Sequence, residues 1–438
     1  MNTQEIKNSA ERAAKLYGAE NYEIIITSTE NAGAEALKDE ISSVSYSLSG
    51  SMKVRCVKNG KSGYASSELV TPEAAAELCE QACDSAGIID EADEVPLFAG
   101  SDHYEDVHDD VPALMSTEDM KAHTLELQRK AYAASDKIVD GTQSFTNGMK
   151  LTQTMLNSAG LNLSYACGLN YHGVAAAVKN GEDAAEEYRL ADVTKESADV
   201  SVEKAVTTAL SKLGAESVDS GKYNLIMDSD TVRSLLSTYS SVFSARSAYM
   251  KTTLLAGKEG EVVGSEKLTL VDDPFYPEKF GHCPFDGEGV AVYRKNVIEK
   301  GVLNTLLYNR MYGKLLGTET TGNALDAKSI EPKGLYVAAG ELSKEDLMKK
   351  LGNGLYITSL NGLHAGANIQ SGDFSLQAEG FLVENGQKSR PVKNFTVADN
   401  FFQLLKKVDA LSDKVEFSLT SDFGSPEILF TDISVSGK

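Results

Sequence analysis

The most constraining feature of the sequence is a pair of strand patterns joined by the dipeptide Asn59-Gly60. Asn-Gly is favoured in the two-residue type I′ turn of a β-hairpin, where both residues take positive φ. The segment "ISSVSYSLSG" before it alternates through Val44, Tyr46 and Leu48, which predicts a half-buried strand. After it, Thr71-Pro72 combines a helix N-cap with proline in the first helical position. The region therefore predicts antiparallel strands flanked by helices.

The same mixture of elements continues along the chain. Capped helices are predicted after Ser116, from about Ala198, and from Ser343 to Leu351, with short glycine-bounded strands between them. We predict an α+β fold, with an N-terminal α+β domain of antiparallel strands and flanking helices and a large strand-rich C-terminal domain. A chain of 438 residues is too long for one small core. Three parts are expected, the second packed with the first: residues 1–95, 96–218 and 219–438.

An acidic stretch marks the first boundary. Nine acidic residues lie between Asp90 and Asp110, a composition that cannot bury itself and predicts a solvated linker. His103, His108 and His123 fall in this linker or on the flank of the next helix, and we expect them to be solvated.

Charge and composition limit the possible partners. The formal net charge is −22, so the chain would repel a phosphate backbone, and direct nucleic-acid binding is not expected. No apolar run approaches the roughly 20 residues needed to span a bilayer, and the N-terminus lacks an apolar signal core. We therefore expect a cytoplasmic protein without a membrane partner. Five cysteines fit a reducing compartment without a disulfide framework.

Several side chains suit metal or acid–base chemistry but also have a structural explanation. Cys79 and Cys83 share a helix face and could form half of a zinc site, yet apolar neighbours on that face favour buried core cysteines. His172 and His364 adjoin glycines, and lone histidines of this kind are more often structural.

The stretch "GHCPFDGEG" places His282, Cys283, Asp286 and Glu288 within seven residues. The strand patterns that follow, with a turn at Gly301, make this stretch the loop that leads into a hairpin. Asp286 can cap backbone amides there, and a metal site remains the alternative. The chain contains no His-Glu-x-x-His, Walker, Gly-x-Ser-x-Gly or Rossmann signature.

Three segments resemble the signature regions of the TldD/PmbA family. They are "PFDGEGVAVYRKNVIEKGVLNTLLYNRMYGKLLGTETTGNA", "GLYITSLNGLHAGANIQSGDFSLQAEGFLVENGQKSRPVKNFTVADN" and the ending "GSPEILFTDISVSGK". The family was first described as modulators of DNA gyrase and is now regarded as metallopeptidase components. The resemblance implies an α+β N-terminal part and a large, strand-rich C-terminal domain.

The resemblance also implies one of two kinds of subunit. The TldD kind carries His-Glu-x-x-x-His on a helix early in the C-terminal domain and a cysteine near the C-terminus, and these bind zinc. The PmbA (TldE) kind pairs with it and lacks those ligands. Here Ser237, Thr238 and Val242 occupy the positions of His, Glu and His, and "SLTSDFGSPEIL" contains no cysteine. The chain resembles the PmbA kind, and no catalytic or metal-binding residue carries over.

We therefore expect a PmbA/TldE-like subunit without a cofactor of its own that assembles with a TldD-like zinc peptidase. It would help to bind and enclose unfolded peptides, and alone it could form a homodimer. The residues expected to contact peptide or partner lie in glycine-bounded loops of the recognisable motifs: His282, Asp286, Thr321, Asn323, Asp373 and Phe374.

Two alternatives remain open at the level of sequence. The first is an independent metal-dependent hydrolase that uses His282, Asp286 and Glu288, together with Cys283 or His364. The second is a non-enzymatic adaptor or regulator of the gyrase-modulator type.

Overall fold

The computed structural model describes residues 3–90, 95–107 and 111–438. The N-terminal half is built from long strands and four described helices. The helices are α1 (Thr3–Leu16), α2 (Pro72–Gly87), α3 (Thr117–Ala134) and α4 (Ala198–Ser211). The strands are β1 (Asn21–Leu37), β2 (Glu40–Lys58), β3 (Lys61–Ser67), β4 (Gln143–Asn157), β5 (Asn162–Asn180) and β6 (Asp183–Asp192).

These six strands form one antiparallel sheet in the order β3-β2-β1-β4-β5-β6. Helices α1 and α2 pack over Ile24 and Ile26 of β1, whereas α3 packs over Ala34 further along the same strand. Side chains separated by an even number of residues share a face of a strand, so all these helices cover one face. Because β1 pairs with β4, the predicted parts 1–95 and 96–218 share one sheet; the three-part division stays a prediction.

The structure confirms the local predictions made at the start of the chain. Asn59 and Gly60 have φ values of 54° and 70°, as a type I′ turn requires. The Thr71 side chain accepts a hydrogen bond from the amide of Ala74 at 3.2 Å and begins α2. Ser116 caps α3 in the same way. Cys79 and Cys83 are both buried in the core between α1, α2 and the sheet, which confirms their structural role.

The C-terminal half holds shorter elements. Its helices are α5 (Ser229–Tyr239), α6 (Ala245–Tyr249), α7 (Arg310–Leu316), α8 (Lys344–Leu351), α9 (Leu363–Gly366) and α10 (Phe401–Leu404), with 3₁₀ turns at Ser240–Phe243 and Leu405–Lys407. Its strands are β7 (Gly221–Met227), β8 (Leu270–Asp272), β9 (Lys295–Glu299), β10 (Val302–Leu303), β11 (Leu335–Val337), β12 (Gly354–Asn361), β13 (Asp373–Glu384), β14 (Gln387–Asn400), β15 (Val408–Leu411), β16 (Glu416–Phe417), β17 (Phe423–Ser425) and β18 (Ile428–Ser436).

These strands form two mixed sheets. One has the order β10-β9-β8-β11-β17-β16, and the other has the order β14-β13-β12-β7-β18-β15. In the second sheet β14 also pairs with β18, so five strands close into a ring. One large apolar cluster lies between the two sheets and includes Tyr239 at the end of α5 and Phe243 in the 3₁₀ turn that follows. The α+β class, with an antiparallel N-terminal sheet and a strand-rich C-terminal domain, is confirmed. Within the described residues, no helix is both long and apolar enough to cross a membrane.

The strand predicted from "ISSVSYSLSG" forms, but its predicted burial is wrong. Val44, Tyr46 and Leu48 of β2 are 46%, 65% and 68% exposed. They lie on the helix-covered face, since Val44 pairs directly with Ala34, yet neither α2 nor α3 covers them. Alternation of apolar and polar residues indicates that one face of a strand is apolar. It does not indicate whether another element covers that face.

The acidic linker is only partly solvated. Its described acidic side chains are exposed, but Leu97 is buried and the Tyr104 hydroxyl donates to the carbonyl of Gly289 at 2.7 Å. The Ser101 hydroxyl accepts from the amide of Ala291 at 3.0 Å. The apolar and hydroxyl residues between the acids thus bind the segment to the C-terminal domain.

One histidine expected in solvent is instead paired. His123 is half-buried, and its Nε2 lies 3.0 Å from Nδ1 of His172, whose own Nε2 lies 2.8 Å from the Ser201 hydroxyl. Burial lowers the pKa of His172 to about 4, so the pair is neutral at neutral pH. His103 is exposed as predicted, and His108 lies outside the described residues.

Candidate functional site

The loop 281–291 lies where the N-terminal sheet meets the C-terminal domain. It leads into the β9–β10 hairpin, in which Leu303 pairs with Ile298 and Gly301 takes a φ of 82° at the turn. The predicted loop-then-hairpin arrangement is therefore confirmed. The loop contacts the sheet through Phe285, which packs with Met155 of β4 and with Tyr165 of β5.

Asp286 organises this loop through its carboxylate. Oδ1 accepts from the amides of Glu288 and Val290 at 2.9 and 3.0 Å, and Oδ2 accepts from the amide of Ala324 at 2.9 Å. The side chain is only 2% exposed. Burial raises the pKa of Asp286, and the three amide donors oppose that shift. The carboxylate is committed to shaping two loops, as an Asx-type cap does.

Two glycines let the loops approach one another. A Cβ on Gly287 would lie 2.0 Å from the carbonyl oxygen of Leu325, a distance that no side chain tolerates. Gly289 has a φ of 81°, and a Cβ there would lie 2.5 Å from the side chain of Leu161 in the turn between β4 and β5. These close contacts show that the shape of the loop depends on glycine at both positions.

A buried ionic network adjoins the loop. Lys295 Nζ lies 3.0 Å from Asp272 Oδ2 and 3.2 Å from Asn323 Oδ1. Asn323 Nδ2 donates to Asp272 Oδ2 at 2.7 Å, and the Thr321 hydroxyl donates to Asn323 Oδ1 at 2.7 Å. Burial acts to raise the pKa of Asp272, but the Lys295 charge and the hydrogen bonds bring it below its ordinary value. Sequence reasoning selected Thr321 and Asn323 but missed Asp272 and Lys295.

A cleft of about 370 Å³ separates this loop from the N-terminal sheet. Its walls include Tyr165, Cys167, Cys283 and Phe285, and its polar edge includes Lys333. The Cys283 thiol donates to the carbonyl of Phe285 at 3.1 Å, and burial raises its pKa to about 12. Thiolate chemistry is therefore disfavoured at neutral pH.

A second, more open groove of about 580 Å³ contains the remaining predicted residues. Its rim runs along residues 365–370 and returns along 373–375. Asp373 is exposed, whereas Phe374 is buried beneath it. The hydroxyl of Tyr239, the last residue of α5, donates to the carbonyl of Asp373 at 3.1 Å. The groove thus lies beside the C-terminal end of α5.

The three positions singled out on α5 and in the 3₁₀ turn that follows it offer no metal ligand set. Ser237 is exposed, Thr238 donates its hydroxyl to the carbonyl of Ser234 at 2.8 Å, and Val242 is fully buried in the 3₁₀ turn. In the part of the chain that the structure describes, no three His, Cys, Asp or Glu side chains lie close enough together to hold a metal ion. The residues present do not fit a zinc site.

The six residues selected from sequence therefore separate into two places. Thr321 and Asn323 belong to the buried network, and Asp286 binds the amide of Ala324, the residue next to Asn323. The burial of all three favours structural roles for them. His282 lies near the start of the same loop as Asp286, half-buried, with Nε2 3.0 Å from the carbonyl of Tyr276. Asp373 and Phe374 border the open groove. His364 of the hydrolase alternative is exposed on α9, next to that groove. Peptide or partner contact stays a prediction for all six.

Replacing Asp286 tests the shaping role. Asp286→Asn keeps one acceptor oxygen, but its amide group would face the amide of Ala324, so donor meets donor. We expect a loss of about 1–3 kcal/mol in the free energy of unfolding, the cost of a buried polar group without its partner. Asp286→Ala should cost at least as much. Urea unfolding measures both, and an Asn variant as stable as wild type would contradict the role.

Comparison with known proteins finds similarity along the whole chain. Residues 220–437 match the family profile described as PmbA/TldA metallopeptidase C-terminal domain, and residues 22–86 match PmbA/TldA metallopeptidase domain 1. The chain is 25% identical to the Metalloprotease PmbA homolog of Haemophilus influenzae over an alignment 459 residues long. The alignment covers 99% of this chain and 96% of that protein.

Solved structures show the same similarity. A Thermotoga maritima protein named as a modulator of a DNA gyrase superposes with a TM-score of 0.91 at 26% identity, over 99% of this chain and 100% of that one. TldE from Thermococcus kodakarensis superposes with a TM-score of 0.87 at 23% identity, also over 99% and 100% of the two chains. At 23% identity the second likeness shows the fold alone.

Proposed function

We propose, from the premise that this chain belongs to the TldD/PmbA metallopeptidase family, that it is a PmbA/TldE-like subunit of a TldD-type metallopeptidase. In this role it pairs with a TldD-like subunit that holds the zinc. It contributes surface that binds and encloses unfolded peptides. It supplies no catalytic metal of its own.

The observation that carries the proposal is the state of the helix α5 region. The family resemblance assigns metal ligands to the positions of Ser237, Thr238 and Val242. Zinc requires nitrogen, sulfur or carboxylate donors, and a peptidase also needs a general base. Val242 has no donor atom and is fully buried, so no side-chain rotation can bring a ligand there. The open groove beside the helix nevertheless remains. A chain with a groove and no ligand set suits peptide binding better than hydrolysis.

The groove offers exposed side chains to an extended peptide. Its rim residues Asn368 and Gln370 are exposed, and Ile369 is 40% exposed. An extended peptide bound along such a rim can use its own amides and carbonyls, which makes binding tolerant of sequence. The Asp373 carboxylate accepts from Asn400 at 2.9 Å, which lowers its pKa and keeps it anionic. This charge would favour a peptide amino terminus or a basic side chain.

Co-expression with the TldD-like protein of the same organism tests the proposal. With a tag on one chain, we expect the two to co-purify and to cleave an unfolded casein-type substrate only when both are present. This chain purified alone should contain well below one equivalent of zinc by elemental analysis. Full cleavage by the TldD-like protein without this chain would overturn the proposal. Stoichiometric zinc in this chain alone would do the same.

A further inference from the structure

The cleft between the loop 281–291 and the N-terminal sheet is large enough to hold a ligand. Its volume is about 370 Å³, whereas an apolar cavity of about 150 Å³ already holds benzene. Six large apolar or aromatic side chains line it: Met149, Leu151, Tyr165, Phe280, Phe285 and Leu325. Leu325 is 53% exposed, and all the others except Phe285 are half-buried. The cleft therefore offers apolar surface that no other part of the described chain covers completely.

The sheet side of the cleft is formed by alternate residues of β4. Met149, Leu151 and Gln153 share one face of the strand. Leu151 pairs with Thr29, three residues from Ile26 on β1, so this face is the one that α1, α2 and α3 leave uncovered. The half-buried Gln153 side chain makes no hydrogen bond to the described residues, and an amide can both donate to and accept from a peptide main chain. Apolar walls with a few polar groups are typical of a ligand site.

The charged side chains that line the cleft are bound to partners within the chain. Lys279 Nζ lies 2.8 Å from Asp422 Oδ1 and also donates to two backbone carbonyls, so its three N–H groups are used. Lys333 Nζ lies 2.7 Å from Glu331 Oε1, and both Asp286 oxygens accept backbone amides. An anionic ligand would meet one more carboxylate than there are lysines. A cationic ligand would find no carboxylate without a partner, so the lining favours a neutral ligand.

We propose that this cleft binds one large apolar side chain, of the size of phenylalanine, from an unfolded peptide, and that Gln153 contacts the main chain of that peptide. Folded proteins bury most side chains of this kind, whereas an unfolded chain exposes them. The cleft would thus select unfolded segments with an aromatic or large aliphatic residue over polar segments. The choice of a peptide as the ligand rests on the proposed function, whereas the neutral and apolar character of the cleft does not.

Two matched peptides test this preference on the purified chain alone. Both are short, Gly-Ser-rich and blocked at each end, and they differ only in a central phenylalanine or serine. Burying a phenyl side chain is worth about ten- to a hundredfold in affinity. We therefore expect the phenylalanine peptide to bind at least about ten times more tightly than the serine peptide in a ligand-observed NMR titration. Equal affinities, or no binding of either peptide, would overturn the inference.

Leu151→Trp fills the cleft from the sheet side and should reduce the preference to less than about twofold. Thr152→Trp is the matched control, because Thr152 is the next residue of β4 and is exposed on the other face of the strand. It should keep the preference. Leu151→Ala enlarges the cleft, and a peptide with a central tryptophan should then gain about threefold or more over the phenylalanine peptide. The Ala variant decides the matter if thermal melting shows that Leu151→Trp does not fold. An unchanged preference in a folded Leu151→Trp would contradict the inference.

Photo-crosslinking locates the bound side chain. A peptide with a benzophenone in place of the phenyl ring should attach on irradiation to residues 149–153 or 280–285, as mapped by mass spectrometry. Attachment only along residues 365–375 would place the side chain in the open groove, so that the inference fails and the proposed function stands. A phenylalanine preference in the chain alone, without cleavage by the assembled pair, would have the opposite meaning: the binding site stands and the proposed function fails.

Discussion

Asp272→Asn is expected to lower the free energy of unfolding by about 3–5 kcal/mol, the usual cost of removing one partner of a buried ion pair. Asp272 is fully buried and Lys295 is 8% exposed. One carboxylate oxygen accepts from the amides of Lys333 and Gly334 at 2.8 and 2.9 Å, and the other binds Lys295 and Asn323. An asparagine can satisfy the two amides only by directing its own NH₂ group at the ammonium, which leaves that charge unpaired.

Two variants separate this effect from a general loss of packing. Adding Lys295→Met to Asp272→Asn removes the unpaired charge and should recover at least half of the lost free energy, since the desolvated ammonium causes the largest cost. Glu261→Gln breaks the exposed pair with Lys258, which lies at 2.9 Å, and should cost less than about 1 kcal/mol. Chemical unfolding with a fitted m-value measures all three. If the free energy of unfolding of Asp272→Asn alone lies within about 1 kcal/mol of wild type, the ion pair is not essential for stability.

The sequence predicted local structure well where a short signal determines the conformation. Asn59-Gly60 specifies its turn through backbone sterics alone, and Thr71 caps α2 through one hydrogen bond. Helices after Ser116 and Ser343 begin where their caps indicate. Such signals need only neighbouring residues, so they survive any tertiary context.

Predictions that depended on distant partners were less reliable. The alternation through Tyr46 identified a strand but not the missing cover over its face. His123 looked like a solvated side chain because its partner, His172, is 49 residues away in sequence. Tyr104 lies among acidic residues, and nothing nearby in sequence indicates that its hydroxyl binds the C-terminal loop at Gly289. Burial is a property of the assembled sheets.

The candidate site shows the same division. Asp286 was identified as a loop cap because its amide partners Glu288 and Val290 follow within four residues. Asp272 and Lys295 were missed because they lie 23 residues apart, at the end of one ordinary short strand and at the start of another. The only sequence signal for this ion pair was a charged residue in an otherwise apolar strand. Such a signal does not show which residue is its partner. The prediction that α5 lacks metal ligands came from the family resemblance. Residue spacing can indicate ligands that are present, but it cannot indicate where a ligand is missing.

Glu288 should make the stability of the chain depend on pH near neutrality. It is 5% exposed; one oxygen accepts from the amide of Arg310 at 2.9 Å, while the other, Oε1, has no hydrogen-bond partner among the described residues. Burial raises its pKa to about 7 from an ordinary value of 4.5, and the nearby Asp286 carboxylate adds to the shift. The folded chain therefore holds a proton that the unfolded chain releases.

The sign of the effect follows from this difference. Below pH 4.5 the Glu288 carboxyl is protonated in both the folded and the unfolded chain. Its ionisation then makes no contribution to the free energy of unfolding. As the pH rises towards 7, only the unfolded chain ionises, so the free energy of unfolding falls. Above 7 the folded carboxyl is ionised too, and the loss stays constant at roughly 3 kcal/mol at most. Glu288→Gln mimics the neutral form at every pH. It should match wild type near pH 4.5 and exceed it by about 2–3 kcal/mol at pH 8.

The quantity to measure at each pH is the free energy of unfolding of Glu288→Gln minus that of wild type. A difference is needed because other buried acids also titrate in this range. Burial raises the pKa of Asp228 to about 6 and raises that of Glu23, and these contributions cancel in the difference. Glu384→Gln, at an exposed position on β13, is the matched control and should give a difference that does not change with pH. If Glu288→Gln behaves like this control, Glu288 is ionised and solvated in the folded chain, and the interface between the loop and the N-terminal sheet is open to water. If the difference grows between pH 4.5 and 7, the loop closes against the sheet as a dry contact, and its burial holds a proton at neutral pH.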